Sequence, residues 1–473
     1  MAYRFFSVLL SCVASLIALS APVRAQGLPV RTLPTPTETM NWAELTYPQF
    51  FPSRQQNQTS PPYLYRYYPE SGNYLGIDGE TVAVIGPISG GQLQVVGRLT
   101  DFACQISPVH CAPVGGSRLL AGNGFSLAIK ADGTVLKWGS RLTTDGVSVP
   151  NSVAVKVSDL SGIATITGND ELGAVFALAT DGTLRSWGRN DYGALGIPSR
   201  VVDRLNVPTP NPTIGRVRDV AIAGTTHRLL TIFLREDGTV GFTPRADFFG
   251  TQVAVGTVPN LSGVAGLSDS HADNSFPGTK VHAIKSDGTV WKLNWSEARI
   301  GGKLEYQLAA QQVNGLSSIV QVACGTGHCL ARDISGSVWA WGEEGALGNG
   351  TSGGRTIPFK VSGVPTAKKV TVGHGSSYVV TTAGALYGWG KMDLDGAPYT
   401  NSSDTVVSPI LIVASSYKVV DVSPSGPPIE HVLFLLADGS VWTWGNNFYG
   451  QLGDGTTTSA RTIVRVLGVN LSQ

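Results

Sequence analysis

Charge is scarce in this chain. Asp, Glu, Lys and Arg make up only 14% of it, and 34 basic against 33 acidic residues leave a formal net charge of +1. There is no Lys/Arg run to track a phosphate backbone, so a nucleic-acid partner is not expected. Long apolar stretches are equally rare. The one at Phe5 to Leu19 is about fifteen residues, and a bilayer span needs roughly twenty, so no membrane span is expected. Recognisable catalytic signatures are missing too: there is no nucleophile elbow, phosphate loop or metal-binding helix motif. No catalytic, cofactor-binding or metal-binding residue is therefore expected. Cysteine is limited to five residues, and few residues suit long helices.

Glycine is abundant, at 58 residues, and it is spaced with purpose. Seven times a tight turn leads into a strand that usually ends in Trp-Gly: DGTVLKWG from Asp132, DGTLRSWG from Asp181, DGTVGF from Asp237, DGTVWKLN from Asp287, SGSVWAWG from Ser335, AGALYGWG from Ala383 and DGSVWTWG from Asp438. The turn glycines at 133, 182, 238, 288, 336, 384 and 439 are 48 to 56 residues apart. One hairpin signal per period of about fifty means radially repeated units. The expected fold is all-β: a seven-bladed ring from 117 to 473, closed by the C-terminal strand. The basis for that closure is that 462–469 reads as the start of an eighth period, able to complete the first blade and remove an open sheet edge.

The ring has a preface. Arg4, the apolar run and Val23-Arg24-Ala25 read as a secretory leader cut after Ala25, giving an exported chain of 32 basic and 33 acidic residues. Residues 26–40 are a Pro/Thr-rich linker. Residues 41–104 are expected to form a small α+β module: a short helix near Asn41 to Leu45, then a meander of about four strands, because Tyr63, Tyr65 and Tyr67 recur at strand period. Residues 105–116 are a Pro/Gly linker. Four cysteines remain after the leader, and an even number in an exported chain suggests disulfides. Cys104–Cys111 is favoured as a staple between domains. Cys324 and Cys329 flank one tight turn and are the second candidate pair; strand geometry sets their Cβ separation, and two buried free thiols are the alternative. A metal there lacks ligands, since His328 is the only evident addition and a closed zinc site needs four.

Three linked motifs carry a family resemblance. The segment from Trp444 to Gly455 (WGNNFYGQLGDG) resembles the signature of regulator-of-chromosome-condensation repeats. Trp341 to Gly350 and Trp187 to Gly196 are degraded versions. The family's Gly-x-x-His turn stands at Gly325 to His328 and Gly224 to His227, and His431 has the same offset from its turn glycine as His328. The resemblance implies a seven-bladed β-propeller that binds other proteins, and it leaves the partner unnamed. Blades 3 and 4 depart from it, with Phe242-Thr243 and Leu293-Asn294 in place of Trp-Gly, and blade 6 has Ser376 where the histidine belongs.

The repeated side chains are read as scaffold. His227, His328 and His431 are hydrogen-bonding turn groups, the Asp of each Asp-Gly turn is an Asx acceptor, and Trp138, Trp187, Trp341, Trp389 and Trp444 pack between blades. Strand parity places the Gly-x-x-His turns and the loops after Trp-Gly on one face, with the uniform Asp-Gly turns opposite. The first face carries irregular insertions at 169–173, 191–212, 244–250, 268–280, 295–305 and 423–430. Loops on a rigid scaffold are the usual place for binding. Tyr192, Phe248, Phe249, His271, Phe276, Trp295, Tyr399, Phe448 and Tyr449 are the expected partner-binding residues. Two other functions stay open: an envelope-glycan binder using the tyrosines of 63–74, and a hydrolase or lyase with a site assembled from several blades.

Overall fold

The computed structural model describes the backbone of five strands between residues 57 and 98, and the ring at 117–139, 151–169, 173–190, 193, 195–197, 204–225, 228–243, 255–270, 281–300, 303–342, 346–392, 405–426 and 430–472. The five strands, Asn57–Ser60, Tyr63–Tyr68, Asn73–Asp78, Thr81–Ile85 and Leu93–Arg98, form one antiparallel meander in sequence order. This is one strand more than expected, because Asn57–Ser60 has no apolar alternation to announce it. The leader, the helix expected near 41–45 and the Cys104–Cys111 pair lie outside the described residues.

The ring is a propeller of seven sheets, each with four consecutive antiparallel strands; the blade 5 sheet also takes a short parallel strand, Asp269–Ser270, from blade 4. Blades 1 to 7 occupy 119–156, 163–210, 219–257, 264–312, 319–360, 367–413 and 419–470. Within each blade the strands, here a to d, follow sequence order. Burial falls from a to d. Strand a of blade 1, Leu119–Gly122, is buried throughout, whereas strand d of blade 5, Arg355–Lys360, is exposed or half-buried along its length. Successive a strands face one another around the ring, as Ile319–Cys324 does with Ala367–Val372. The cores lie between blades, not within them. One packs Leu119, Ala121 and Trp138 of blade 1 against Leu433, Leu435 and Val466 of blade 7.

The expected turn chemistry is present. All seven turn glycines have φ between 75° and 86°, where a side chain would be strained. The Gly of Trp-Gly is needed for close approach: at Gly445, φ is 114° and a Cβ would lie 2.7 Å from the carbonyl oxygen of Glu430. Blades 3 and 4 form without it, because their apolar alternation still fills the core with Phe242 and Leu293.

Closure differs from the expectation. Each blade is contiguous in sequence. Ala460–Asn470 pairs with Ser440–Gly445 and is strand d of blade 7, while blade 1 completes itself with the two-residue strand Val155–Lys156. An exposed outer strand and the inner strand of a following repeat share the same short apolar alternation, which is why 462–469 reads as either. The C-terminal segment still helps to close the ring, by other means. The carbonyl of Leu471 accepts the amide of Ala131 at 3.1 Å and the Arg118 guanidinium at 2.5 Å. The Asp421 carboxylate of blade 7 accepts the Ser117 hydroxyl and the Arg118 amide, both at 2.9 Å, and it also pairs with Lys369 of blade 6. The Ser423 hydroxyl accepts the amide of Ala121 at 3.0 Å.

The insertion at 295–305 is not irregular. It continues a long hairpin, Val290–Ile300 with Lys303–Gln312, paired up to Ile300↔Lys303. Strand c of blade 5 ends at Gly342, equivalent to Asn294, so about six residue pairs run past the sheet, on the order of 20 Å at strand rise. Likewise Arg204–Pro210, inside the 191–212 insertion, is strand d of blade 2.

Candidate functional site

The repeated histidines and tryptophans form one device, and it is structural. His431 Nε2 of blade 7 lies 2.8 Å from the Ser126 hydroxyl of blade 1. Ser126 donates to the carbonyl of Gln451 at 2.8 Å, and the Trp138 indole donates to the same oxygen at 2.8 Å. Gln451 belongs to the loop after Trp444-Gly445. The arrangement recurs between blades 5 and 6: His328 Nε2 is 2.7 Å from the Ser377 hydroxyl, and Ser377 and the Trp389 indole both donate to the carbonyl of Ala346. A histidine and a loop carbonyl of one blade thus receive the serine and tryptophan of the next. Both histidines are buried in the seam. His227 lies outside the described residues.

The seam between blades 4 and 5 departs from this pattern. Blade 4 has the long hairpin where blades 5 and 7 have a Trp-Gly loop, so among the described residues Trp341 of blade 5 meets no such loop carbonyl. Its ring instead stands against His282 of blade 4, with centroids 5.7 Å apart at 80°. His282 Nδ1 is 3.3 Å from Cys324 Sγ. Cys324 and Cys329, one of the two candidate pairs, form a disulfide with Cα atoms 4.1 Å apart. The reason is register. Gly325 donates to His328 across the two-residue turn at 2.9 Å, so the flanking Cys324↔Cys329 pair is a non-hydrogen-bonded one, where opposed Cα atoms lie closest. A parallel bridge, Asp269↔Ala323 and Ser270↔Cys324, joins the same two blades. His282 escaped the sequence reading because it belongs to no repeated motif; its only signal is an inward-facing place in the strand His282–Lys285.

The Asp-Gly face is as plain as expected. Asp132, Asp181, Asp237, Asp287 and Asp438 each accept the amide of the residue two positions on. Hydroxyl and amide donors from Thr183, Thr239 and Ser440 hold Asp181, Asp237 and Asp438 below the usual carboxylate range, and the Thr134 amide does the same for Asp132. In blade 5, where Ser335 replaces the aspartate, Asp333 takes over from two residues earlier, accepting Ser335, Ser337 and the Trp339 indole.

The opposite face carries the candidate site. The loop after Trp444-Gly445 is pinned from within. Asn447 is fully buried; its Oδ1 accepts the Leu452 amide at 2.9 Å, and its Nδ2 donates to Asp454 and to the carbonyls of Thr456 and Thr458. Asn190 repeats part of this in blade 2, accepting the Leu195 amide and donating to Ile197. Asn446 and Gln451 accept the amides of Phe448 and Tyr449 at the tip. The two aromatics then part ways. Tyr449 is half-buried and lies over the turn of blade 1, where a Cβ on Gly124 would meet its ring at 2.8 Å. Phe448 is 59% exposed. The same loop abuts Ser152 of blade 1, whose carbonyl accepts the Gly455 amide at 3.1 Å, and the next residue, Val153, is 48% exposed. Trp295 is a half-buried continuation of the blade 3–4 core. Tyr192, Phe248, Phe249, His271, Phe276 and Tyr399 lie outside the described residues.

The class is defined by this geometry: a seven-bladed β-propeller with two of its seams cross-linked by His, Ser and Trp. Residues 181–229, 319–346, 335–380 and 430–451 match the regulator of chromosome condensation (RCC1) repeat, so these stretches are repeats of that type. Over 363 residues it is 28% identical to the E3 ubiquitin-protein ligase HERC2 of Homo sapiens, covering 71% of this chain and 7% of that protein. It is 25% identical over 384 residues to the Ultraviolet-B receptor UVR8 of Arabidopsis thaliana, covering 74% and 82%. Among solved structures, yeast RCC1 (Prp20), crystallised with Kap60 bound, superposes with a TM-score of 0.53 at 16% identity, covering 74% of this chain and 87% of that one. Human WBSCR16 gives 0.51 at 19%, covering 67% and 85%. The chain spans only a small part of the HERC proteins it matches. Among the described residues no helix is long and apolar enough to cross a membrane.

Proposed function

We infer that this protein is a binding propeller that seats another protein on its long-loop face, at the junction of blades 7 and 1. The observation that carries this is Phe448, a large aromatic held outward at 59% exposure by a loop whose own polar groups are satisfied inside it. A preorganised exposed aromatic is a favourable anchor, because little is lost in ordering it. Yeast RCC1 bound by Kap60 supports a protein partner for a ring of this kind. We extend the reading to an exported protein, on the N-terminal charge and hydropathy pattern and on a disulfide, which suits an oxidising compartment.

The test is a crosslinking pull-down with the chain from Gln26 as bait and envelope plus secreted proteins of producing cells as prey, followed by titration of the recovered partner. Phe448→Ala should weaken binding about tenfold or more with the melting temperature unchanged. Unchanged affinity, or crosslinks confined to 41–104, would move the function to that module and make polysaccharide retention the next assay.

A further inference from the structure

The seam between blades 4 and 5 contains a donor set that neither the repeat nor the binding face explains. Donor atoms of His282, Cys324 and Cys329, all buried, lie within 4.8 Å of one another. The geometry points to a redox-gated site for a soft d10 cation, Cu(I) or Zn(II), formed by these three side chains when the disulfide is reduced.

Three observations carry the site. First, the two sulfurs would stay together without their bond. Their pairing is set by backbone: the Cys324↔Cys329 register, the Gly325-to-His328 hydrogen bond and the parallel bridge at Ser270↔Cys324. Second, the third donor is already in place. His282 is held by reciprocal bonds with Ser268, whose hydroxyl accepts the His282 amide at 2.9 Å and whose amide donates to the His282 carbonyl at 2.8 Å. The edge-on ring of Trp341 and the sulfur 3.3 Å from Nδ1 complete its setting. Third, the surroundings select the ion. The side chains of Ile284, Val322, Ala331 and Trp341 in the same buried cluster are apolar. Two thiolates and an imidazole suit Cu(I) and Zn(II), and three protein donors with one position left over is a known zinc arrangement. Two buried thiolates without a cation would be costly, so the ion would also hold the reduced seam together.

The chemistry balances with a dithiol as reductant. It supplies two electrons and two protons, the S–S bond breaks, two S–H bonds form, and the dithiol leaves as its own disulfide. Cation binding then releases both thiol protons to solvent as two metal–sulfur bonds and one metal–nitrogen bond form. The missing donor in the sequence reading was the third one: His328 points to Ser377 of blade 6, and the ligand comes instead from His282 of blade 4.

The experiment uses the full chain with Cys12, Cys104 and Cys111 replaced by Ser, reduced with dithiothreitol and desalted without oxygen. Cu(I) and Zn(II) are titrated separately against a chromogenic chelator, with the ultraviolet thiolate-to-metal band and Trp fluorescence recorded. The expected result is one equivalent of one or both ions for the reduced chain and none for the oxidised chain, with the stronger competitor naming the ion. His282→Ala should lower affinity about tenfold or more, and Cys324→Ser with Cys329→Ser should abolish binding. If reduction loosens the seam, the cation should restore the Trp signal. A reduced, folded chain that binds neither ion, or one in which His282→Ala binds as tightly as the parent, overturns the site. None of these outcomes touches Phe448, so the test stands apart from the binding-face reading.

Discussion

The seam between blades 7 and 1 and the seam between blades 4 and 5 occupy equivalent places in one ring and are held by different chemistry. At the first, His431, Ser126, Trp138 and the carbonyl of Gln451 form a hydrogen-bond relay, backed by the Asp421 latch. At the second, blade 4 lacks the Trp-Gly loop that supplies such a carbonyl, and a disulfide, a parallel strand bridge and a His–Trp contact stand there. What a seam must provide is a cross-link at the Gly-x-x-His end of the blades. The sequence can meet that need with polar groups from a loop or with covalent and apolar contacts between strands.

The comparison can be broken most forcefully at the latch. Asp421→Ala strands the nearly buried Lys369 ammonium and removes the acceptor for Ser117 and Arg118. It should cost about 3 kcal/mol or more, read as a fall in urea midpoint with blade 1 amides exchanging first. A loss under about 1 kcal/mol would mean that the hydrophobic seam alone closes the ring. Next comes the covalent seam. Cys324→Ser with Cys329→Ser should cost about 2 kcal/mol by loop entropy over so short a separation, and amide exchange should rise in blades 4 and 5 but not in blades 7 and 1. Equal protection everywhere would make the disulfide incidental. Smaller again, Ser126→Ala and Ser377→Ala should each cost about 1–2 kcal/mol, since each leaves a buried imidazole nitrogen without its hydroxyl. Their effects should match within about 0.5 kcal/mol if the two relays are one device.

The mildest probe sharpens a different seam. Asp219 of blade 3 accepts the amide of Leu267 of blade 4 at 2.9 Å, and burial pushes its carboxyl up to about 7. The folded state therefore holds a proton that the unfolded chain releases near 3.8, and stability should fall as pH rises from about 4 to 7, then level off. Asp219→Asn should remove that slope in urea midpoints and leave stability near pH 4 little changed. An identical slope in the variant would assign it to other groups.

Much of the scaffold was legible from residues. The Asp-Gly turns, the face parity and the inter-blade tryptophans follow from local rules: φ-permissive glycine, period-two alternation and one motif per fifty residues. The seams were not legible, because each is made by groups 31 to 325 residues apart that share no spacing with one another. Asp421 meets residue 117 from 304 positions away, and His282 meets Cys324 from 42. The binding face was half legible. Asn446 and Asn447 belong to the visible signature, but only the fold separates Phe448, turned outward, from Tyr449, folded over Gly124.

The contiguity of every blade bears on how the ring comes to exist. No sheet waits for a strand from later in the chain, so each can complete its own backbone pairing while later residues are still being synthesised. Assembly is then a series of short-range steps, and a single long-range event, Asp421 and Leu471 meeting blade 1, turns a row of sheets into a circle. A chain halted before that event would be a curved stack with two exposed apolar flanks, open to pairing with another such stack.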